Sequence, residues 1–283
     1  MGARPAQACG ALHPFFLESG GARLFAVHHL PAPEHPVRGQ VLCALPFNEE
    51  MNRSRSMVTL LARRLAEGGY GTLVVDPLGT GDSAGHTRDA RWEIWRDNLR
   101  AARDWLGAQP GKQRVFLGIR LGAILAAELA AETPGPATAL ALWQPVTDGK
   151  LHLTQFLRVR IAAHLDRPDL PKETTAGMRE SFAAGECVEV AGYELHPQFA
   201  RSLDALKLAP AAPAAGTPCL WLENGSEDAT IPPASQTVID RWNAAGVPVV
   251  AQTFTGPAFW QLHERVLAPA AVEATRTWLL GLE

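Results

Sequence analysis

Long apolar runs are missing from this 283-residue chain. None approaches the roughly 20 residues that a bilayer-spanning helix needs, so no membrane span is expected. Neither sign of charge prevails: 26 Lys and Arg face 29 Asp and Glu, a formal net charge of −3. That balance offers nucleic acid or an anionic membrane surface no electrostatic hold. Cysteine is scarce, and Cys9, Cys43, Cys187 and Cys219 show no CxxC spacing, which argues against a metal centre or a disulfide framework. Cys43 and Cys219 lie in apolar strand-like runs and read as buried free thiols in a reducing compartment. The opening residues MGARPAQACGALHPFF lack the continuous apolar stretch of a secretory signal and the Ser or Thr of a myristoylation signal, so the expected location is cytoplasmic. Histidines are scattered without i, i+4 partners, so no metal is expected. No cofactor is expected either, because DPLGTGDS contains Gly-x-Gly without the rest of a dinucleotide fingerprint.

What is present is a good core: 47% of residues are hydrophobic and only 19% charged. HPFFLES and ARLFAVHHL predict two strands joined at Gly20-Gly21. GQVLCALPF, GTLVVDP, RVFLGI and ATALALWQPV are near-continuous apolar runs, as expected of strands buried on both faces. Between them, helical spacing links Met57, Leu60, Leu61 and Leu65 in a helix from Arg53 to Glu67. It also links Trp92, Trp95, Leu99, Ala102 and Leu106, and a further helix is expected over Leu121 to Glu132. Strand and helix alternate with short connections, which predicts an α/β protein with a mostly parallel sheet. The rhythm breaks at Thr147. GKLHLTQFLRVRIAAHL predicts an amphipathic helix, followed by Pro168, Pro171 and mixed short segments, and APAAPAAGTP reads as a linker. Strands resume at CLWLENGSED and VPVVAQTF, with helices over Ala234–Ala245 and up to Leu280. Residues 1–146 and 211–283 are thus the expected core, and 147–210 an insertion expected to act as a lid over the carboxyl ends of the strands.

VFLGIRLGAILAAELA has the shape of a nucleophile elbow: a short apolar strand, a Gly-x-x-x-Gly turn and a small-residue helix. Its middle residue is Arg120, always charged and unable to attack a carbonyl. Together with DPLGTGDS, this turn and the late NGSED turn resemble an α/β-hydrolase over nearly the whole chain. More narrowly, PFNEEMNRSR, DPLGTGDSAG, GIRLGA and GPAFWQ resemble the exosortase-A-system-associated hydrolase 2 family, which accompanies bacterial exopolysaccharide and PEP-CTERM sorting. That resemblance implies an α/β-hydrolase fold with a helical lid, and hydrolysis or transfer of an ester- or thioester-linked acyl group. It places the nucleophile at Arg120, the acid at Asp228 and the base at Phe259 or Trp260, so serine chemistry is not expected.

Other residues could serve the site. Ser83 and His263 could form a substitute dyad, against Ser83 as a loop tie and His263 as a surface residue. Burying Arg120 alone would cost several kcal/mol, so it must face a carboxylate, an anion or water. Asp228 and Glu49 are the internal partners considered, with Glu50 beside Glu49 on the same loop. A carboxylate or phosphate of a ligand is the external one. The candidate catalytic set is Arg120, Asp228, Glu49 and Glu50, the acids as general bases and Arg120 as the clamp. The candidate ligand-binding set is Asn48, Leu121, Asp148, Phe259, Trp260 and His263. His152, Arg158 and Arg160 are read as a solvated face of the insertion helix. The expected partner is a small acyl or anionic molecule, including one borne on an acyl carrier. The rival reading is a catalytically silent binding protein.

Overall fold

The computed structural model of the protein describes residues 10–164, 172–226 and 228–282. Strands β1 (Leu12–Ser19) and β2 (Ala22–His29) form an antiparallel hairpin about Gly20 and Gly21. Both glycines have positive φ, the left-handed geometry such a turn demands. β3 (Gly39–Ala44), β4 (Tyr70–Val75), β5 (Gln113–Ile119), β6 (Thr138–Trp143), β9 (Cys219–Asn224) and β10 (Val249–Phe254) complete one sheet, in the order β1-β2-β4-β3-β5-β6-β9-β10. All pairings from β4 to β10 are parallel; β2 alone runs against them, and β1, antiparallel to β2, points the same way as the rest.

Every residue of β3 and β6 is buried, because helices cover both faces of the sheet. Alternation sends Leu42, Phe116, Leu140 and Trp221 to one face, under α2 (Trp92–Gly107), α3 (Gly122–Glu132) and α7 (Pro233–Ala244). Val41, Leu117, Ala141 and Leu222 go to the other, under α1 (Glu49–Ala66) and α8 (Pro269–Leu280). Each large aliphatic side chain buried there contributes about 1.5–3 kcal/mol, so the continuous apolar strands are the main source of stability.

α1 begins at Glu49, four residues before the expected start at Arg53. Met51, Ser54, Met57, Val58 and Leu61 extend the buried stripe backwards, and Glu49 and Glu50 in the first turn suit the positive end of the helix dipole. The two acids are therefore helical, not part of a loop.

The segment between β6 and β9 holds α4 (Gly149–His164), α5 (Thr175–Ala183), the small hairpin β7 (Val188–Val190) and β8 (Tyr193–Leu195), and α6 (Pro197–Ala205). Pro168 and Pro171 fall outside the described residues. This segment does not build a core of its own. Leu153, Leu157, Met178, Phe199 and Leu203 join the same apolar cluster as Phe47 and Trp95. The Phe47 ring lies 5.0 Å from Phe156 and 5.7 Å from Phe199, and Trp95 lies 4.9 Å from Phe199. The alanine-rich stretch after α6 is tied down as well, with Ala209 O accepting from Trp242 Nε1 at 3.1 Å. Cys43 and Cys219 are buried thiols and Cys187 is exposed. Among the described residues no helix is long and apolar enough to cross a membrane.

Candidate functional site

The β5–α3 turn has the geometry its glycines suggest. A Cβ on Gly118 would meet Ala123 Cα at 2.4 Å, and one on Gly122 would meet Ala44 O at 2.3 Å. Only glycine lets the strand and helix close this tightly. Arg120 sits between them at φ 55°, a left-handed conformation costly for a residue with a side chain. The other positive-φ non-glycine residues described are Asn48 after β3, Gln144 after β6 and Ala191 in the β7–β8 hairpin. Asn48, Arg120 and Gln144 line up along the carboxyl edge of the sheet, so backbone strain is concentrated there.

Arg120 is held by a carboxylate from α1. Its Nε donates to Glu50 Oε1 at 3.2 Å and Oε2 at 3.3 Å, and Nη1 donates to Gln144 O at 3.3 Å. The guanidinium carbon lies 5.4 Å from the Trp260 ring centre, within cation–π range. The expected partners Asp228 and Glu49 are engaged elsewhere or not at all. Glu49 accepts from Tyr193 Oη at 2.8 Å and sits 3.6 Å from Arg53. Asp228 is exposed and makes no hydrogen bond or ion pair among the described residues; its neighbour Glu227 lies outside them. The Arg120 and Glu50 side chains are 13% and 20% exposed. Burial pushes the Glu50 carboxyl above its usual range, and Arg120 and then Arg53 oppose that rise.

A cavity of about 610 Å³ opens over this pair. Phe47, Phe156, Val159 and Ala191 give it an apolar side, while Glu49, Glu50, Arg53, Arg120, Gln155 and His263 give it a polar one, with His152 and Trp260 between. His152, expected on a solvated face, is instead 7% exposed and 6.0 Å from the Phe47 ring. Burial, and then the nearby Arg120, lower its pKa to about 3, so the ring is neutral. His152, Gln155, Phe156 and Val159 occupy i, i+3, i+4 and i+7 of α4, one helix face. That spacing was in the sequence, but nothing there said which face met the sheet.

The remaining candidates separate. Trp260 is buried and lines the cavity, its indole Nε1 without a hydrogen-bond partner. Phe259 is buried in the core against Trp143, 6.1 Å between rings, and does not reach the cavity; neither does the buried Leu121 side chain. Asn48 is buried behind the wall with Nδ2 unpartnered. Asp148 caps the first turn of α4, accepting from the Lys150 and Leu151 amides, and is paired with Lys207. It shares a cavity of about 160 Å³ with Arg120 and His152. His263 contacts Arg53 Nη2 at 3.3 Å. Ser83 is turned away from it: its Oγ donates to Asp76 O at 2.5 Å and accepts from Phe25 N at 2.8 Å, tying the glycine turn to β2. No Ser83–His263 dyad forms. Among the described residues no group of three or more His, Cys, Asp or Glu is placed to hold a metal ion.

The sequence model of the serine aminopeptidase S33 hydrolase family matches residues 35–247. No curated protein matches the chain. Among solved structures, the chain is similar to Est1E from Butyrivibrio proteoclasticus with ferulic acid bound, at TM-score 0.64 and 16% identity, covering 94% of this chain and 98% of that one. The esterase domain of a Rhodothermus marinus protein superposes at TM-score 0.59 and 21% identity, covering 95% and 98%. Epoxide hydrolase A from Mycobacterium thermoresistibile does so at 0.58 and 17%, covering 96% and 99%. At these identities the likeness speaks to the fold alone.

Proposed function

Because the chain belongs to the serine aminopeptidase S33 family of α/β-hydrolases, we propose that it uses the hydrolase cavity to bind an acyl compound with an anionic or carbonyl head, without serine-based turnover. One observation carries this reading: an arginine, strained at φ 55° and paired with a half-buried glutamate, stands at the elbow tip inside a cavity of about 610 Å³. A guanidinium there cannot be acylated, but its outer edge can hold a carboxylate or carbonyl oxygen. The positive end of the α3 dipole, at Gly122, adds to that attraction. The apolar side of Phe47, Phe156 and Val159 suits a hydrocarbon or aryl tail. In this reading residues 147–210 are the lid, and Phe259 and Trp260 replace the base with packing. The four short stretches around Asn48, Gly79, Arg120 and Trp260 support a place among exosortase-A-associated proteins, with an acyl carrier as one source of the ligand.

The raised pKa of Glu50 favours a second reading, serine-free hydrolysis. Glu50 would take a proton from water as its oxygen adds to the carbonyl carbon. The bond to the leaving group then breaks, and Glu50 returns the proton to that group while Arg120 steadies the oxyanion.

Calorimetric titration with ferulate and octanoate, beside turnover assays on their methyl esters and thioesters, tests both. The binding reading expects carboxylate affinity about 10- to 100-fold weaker when Arg120→Met is added to Glu50→Gln, the loss of a charged hydrogen bond. Ester turnover by wild type that Glu50→Gln abolishes installs the second reading. Neither binding nor turnover overturns both.

A further inference from the structure

His152 belongs to the insertion, and none of the sequence motifs points to it. Its ring is buried in the cavity wall beside Phe47 and Arg120, and its buried Nε2 has no hydrogen-bond partner among the described residues. An unpartnered buried imidazole is destabilising where a phenyl ring is not. The surroundings would suit a phenyl ring, since Phe47 already meets Phe156 at 5.0 Å and Phe199 at 5.7 Å. Burial first, and then the nearby Arg120 cation, keep the imidazole from ionising; Glu50 faces Arg120, and Asp148 at the start of the same helix is occupied by Lys207. The ring therefore offers one N–H donor and one acceptor and no charge. Trp260 supplies a second unpartnered N–H in the same wall. Both groups lack an acceptor, and Arg120 beside them has guanidinium donors beyond those given to Glu50 and Gln144.

We propose that His152 is a ligand-contacting specificity residue, whose N–H takes one oxygen of a planar carboxylate while Arg120 takes the other. This rests on the binding reading above and narrows its ligand to monocarboxylates with an apolar tail. The insertion thus reads the head group, and the sheet supplies its charge.

The test uses the full chain with three proteins: wild type, His152→Phe and His152→Gln. Octanoate and ferulate are the probes, with octanol as a headless control. Octanoate affinity should fall at least about tenfold in His152→Phe and recover within about threefold in His152→Gln, whose amide N–H can still donate. Octanol binding should not change. His152→Phe without ligand should melt about 2–4 °C higher, because the orphaned polar group is gone. In wild type labelled with 15N-histidine, the His152 ring signals should move on adding octanoate. Wild type that binds octanoate through Arg120, with unchanged affinity in His152→Phe and still ring signals, overturns this proposal and leaves the binding reading intact. Wild type that binds no carboxylate overturns both.

Discussion

Replacing Arg120 with methionine keeps an apolar stem against Trp260 and removes the one guanidinium that, among the described residues, bonds Glu50. Glu50 is then left in the cavity wall with two choices. It can stay ionised and unpaired, at about 3–5 kcal/mol for a broken buried pair. Or it can take up a proton. Its ordinary value is 4.5, so at pH 7 protonation spans two and a half pH units, each worth about 1.4 kcal/mol. That route costs about 3 kcal/mol at pH 7 and under about 1 kcal/mol at pH 5, and the cheaper route wins. The sign follows from linkage. The folded variant holds a proton that the unfolded chain releases above pH 4.5, so its stability falls as pH rises and recovers as pH falls. Urea unfolding at pH 5 and pH 7 checks this, with Glu50→Gln added to the variant as a control. A gap between wild type and Arg120→Met that is equal at both pH values refutes the reasoning. So does a gap that Glu50→Gln fails to close at pH 7.

Two further outcomes follow from buried groups outside that pair. Ser83→Ala should lower stability by about 1–2 kcal/mol by stranding the Phe25 amide, and should leave octanoate affinity unchanged; a loss of binding at wild-type stability would restore Ser83 to the site. His29 is held neutral by burial, then by Arg63 and His28, with a pKa lowered from 6.5 to about 4. Its contribution is complete above pH 6.5 and lost as pH falls towards 4, up to about 3 kcal/mol. Thermal melts of wild type and His29→Gln across that window should converge as pH falls, and parallel curves would show the shift to be absent.

Much of the fold was legible because burial on both faces leaves a strand no polar positions. GQVLCA and TALALW could only be central strands, and the apolar face of Trp92, Trp95 and Leu99 could only be a covering helix. The elbow was legible from Gly118 and Gly122, whose spacing reflects contacts that a Cβ would block. The site was less legible. That Glu50, and not Glu49 or Asp228, meets Arg120 depended on where α1 began, and the first turn of a helix carries a weaker pattern than its middle. Both Phe259 and Trp260 were candidate ligand contacts from the sequence, but Trp260 lines the cavity while Phe259, its neighbour, turned into the core.

The sequence by itself determined the alternating α/β order, the tight turn after β5 and the arginine at its tip, since each is local and set by side-chain size, φ or charge. Tertiary structure alone decided what that arginine meets. Once α1 begins at Glu49, consecutive residues project about 100° apart, so Glu50 faces the elbow and Glu49 faces Tyr193. The docking of α4 likewise turned His152 inward beside Arg120. Long-range packing sets such rotations, and no local pattern carries them.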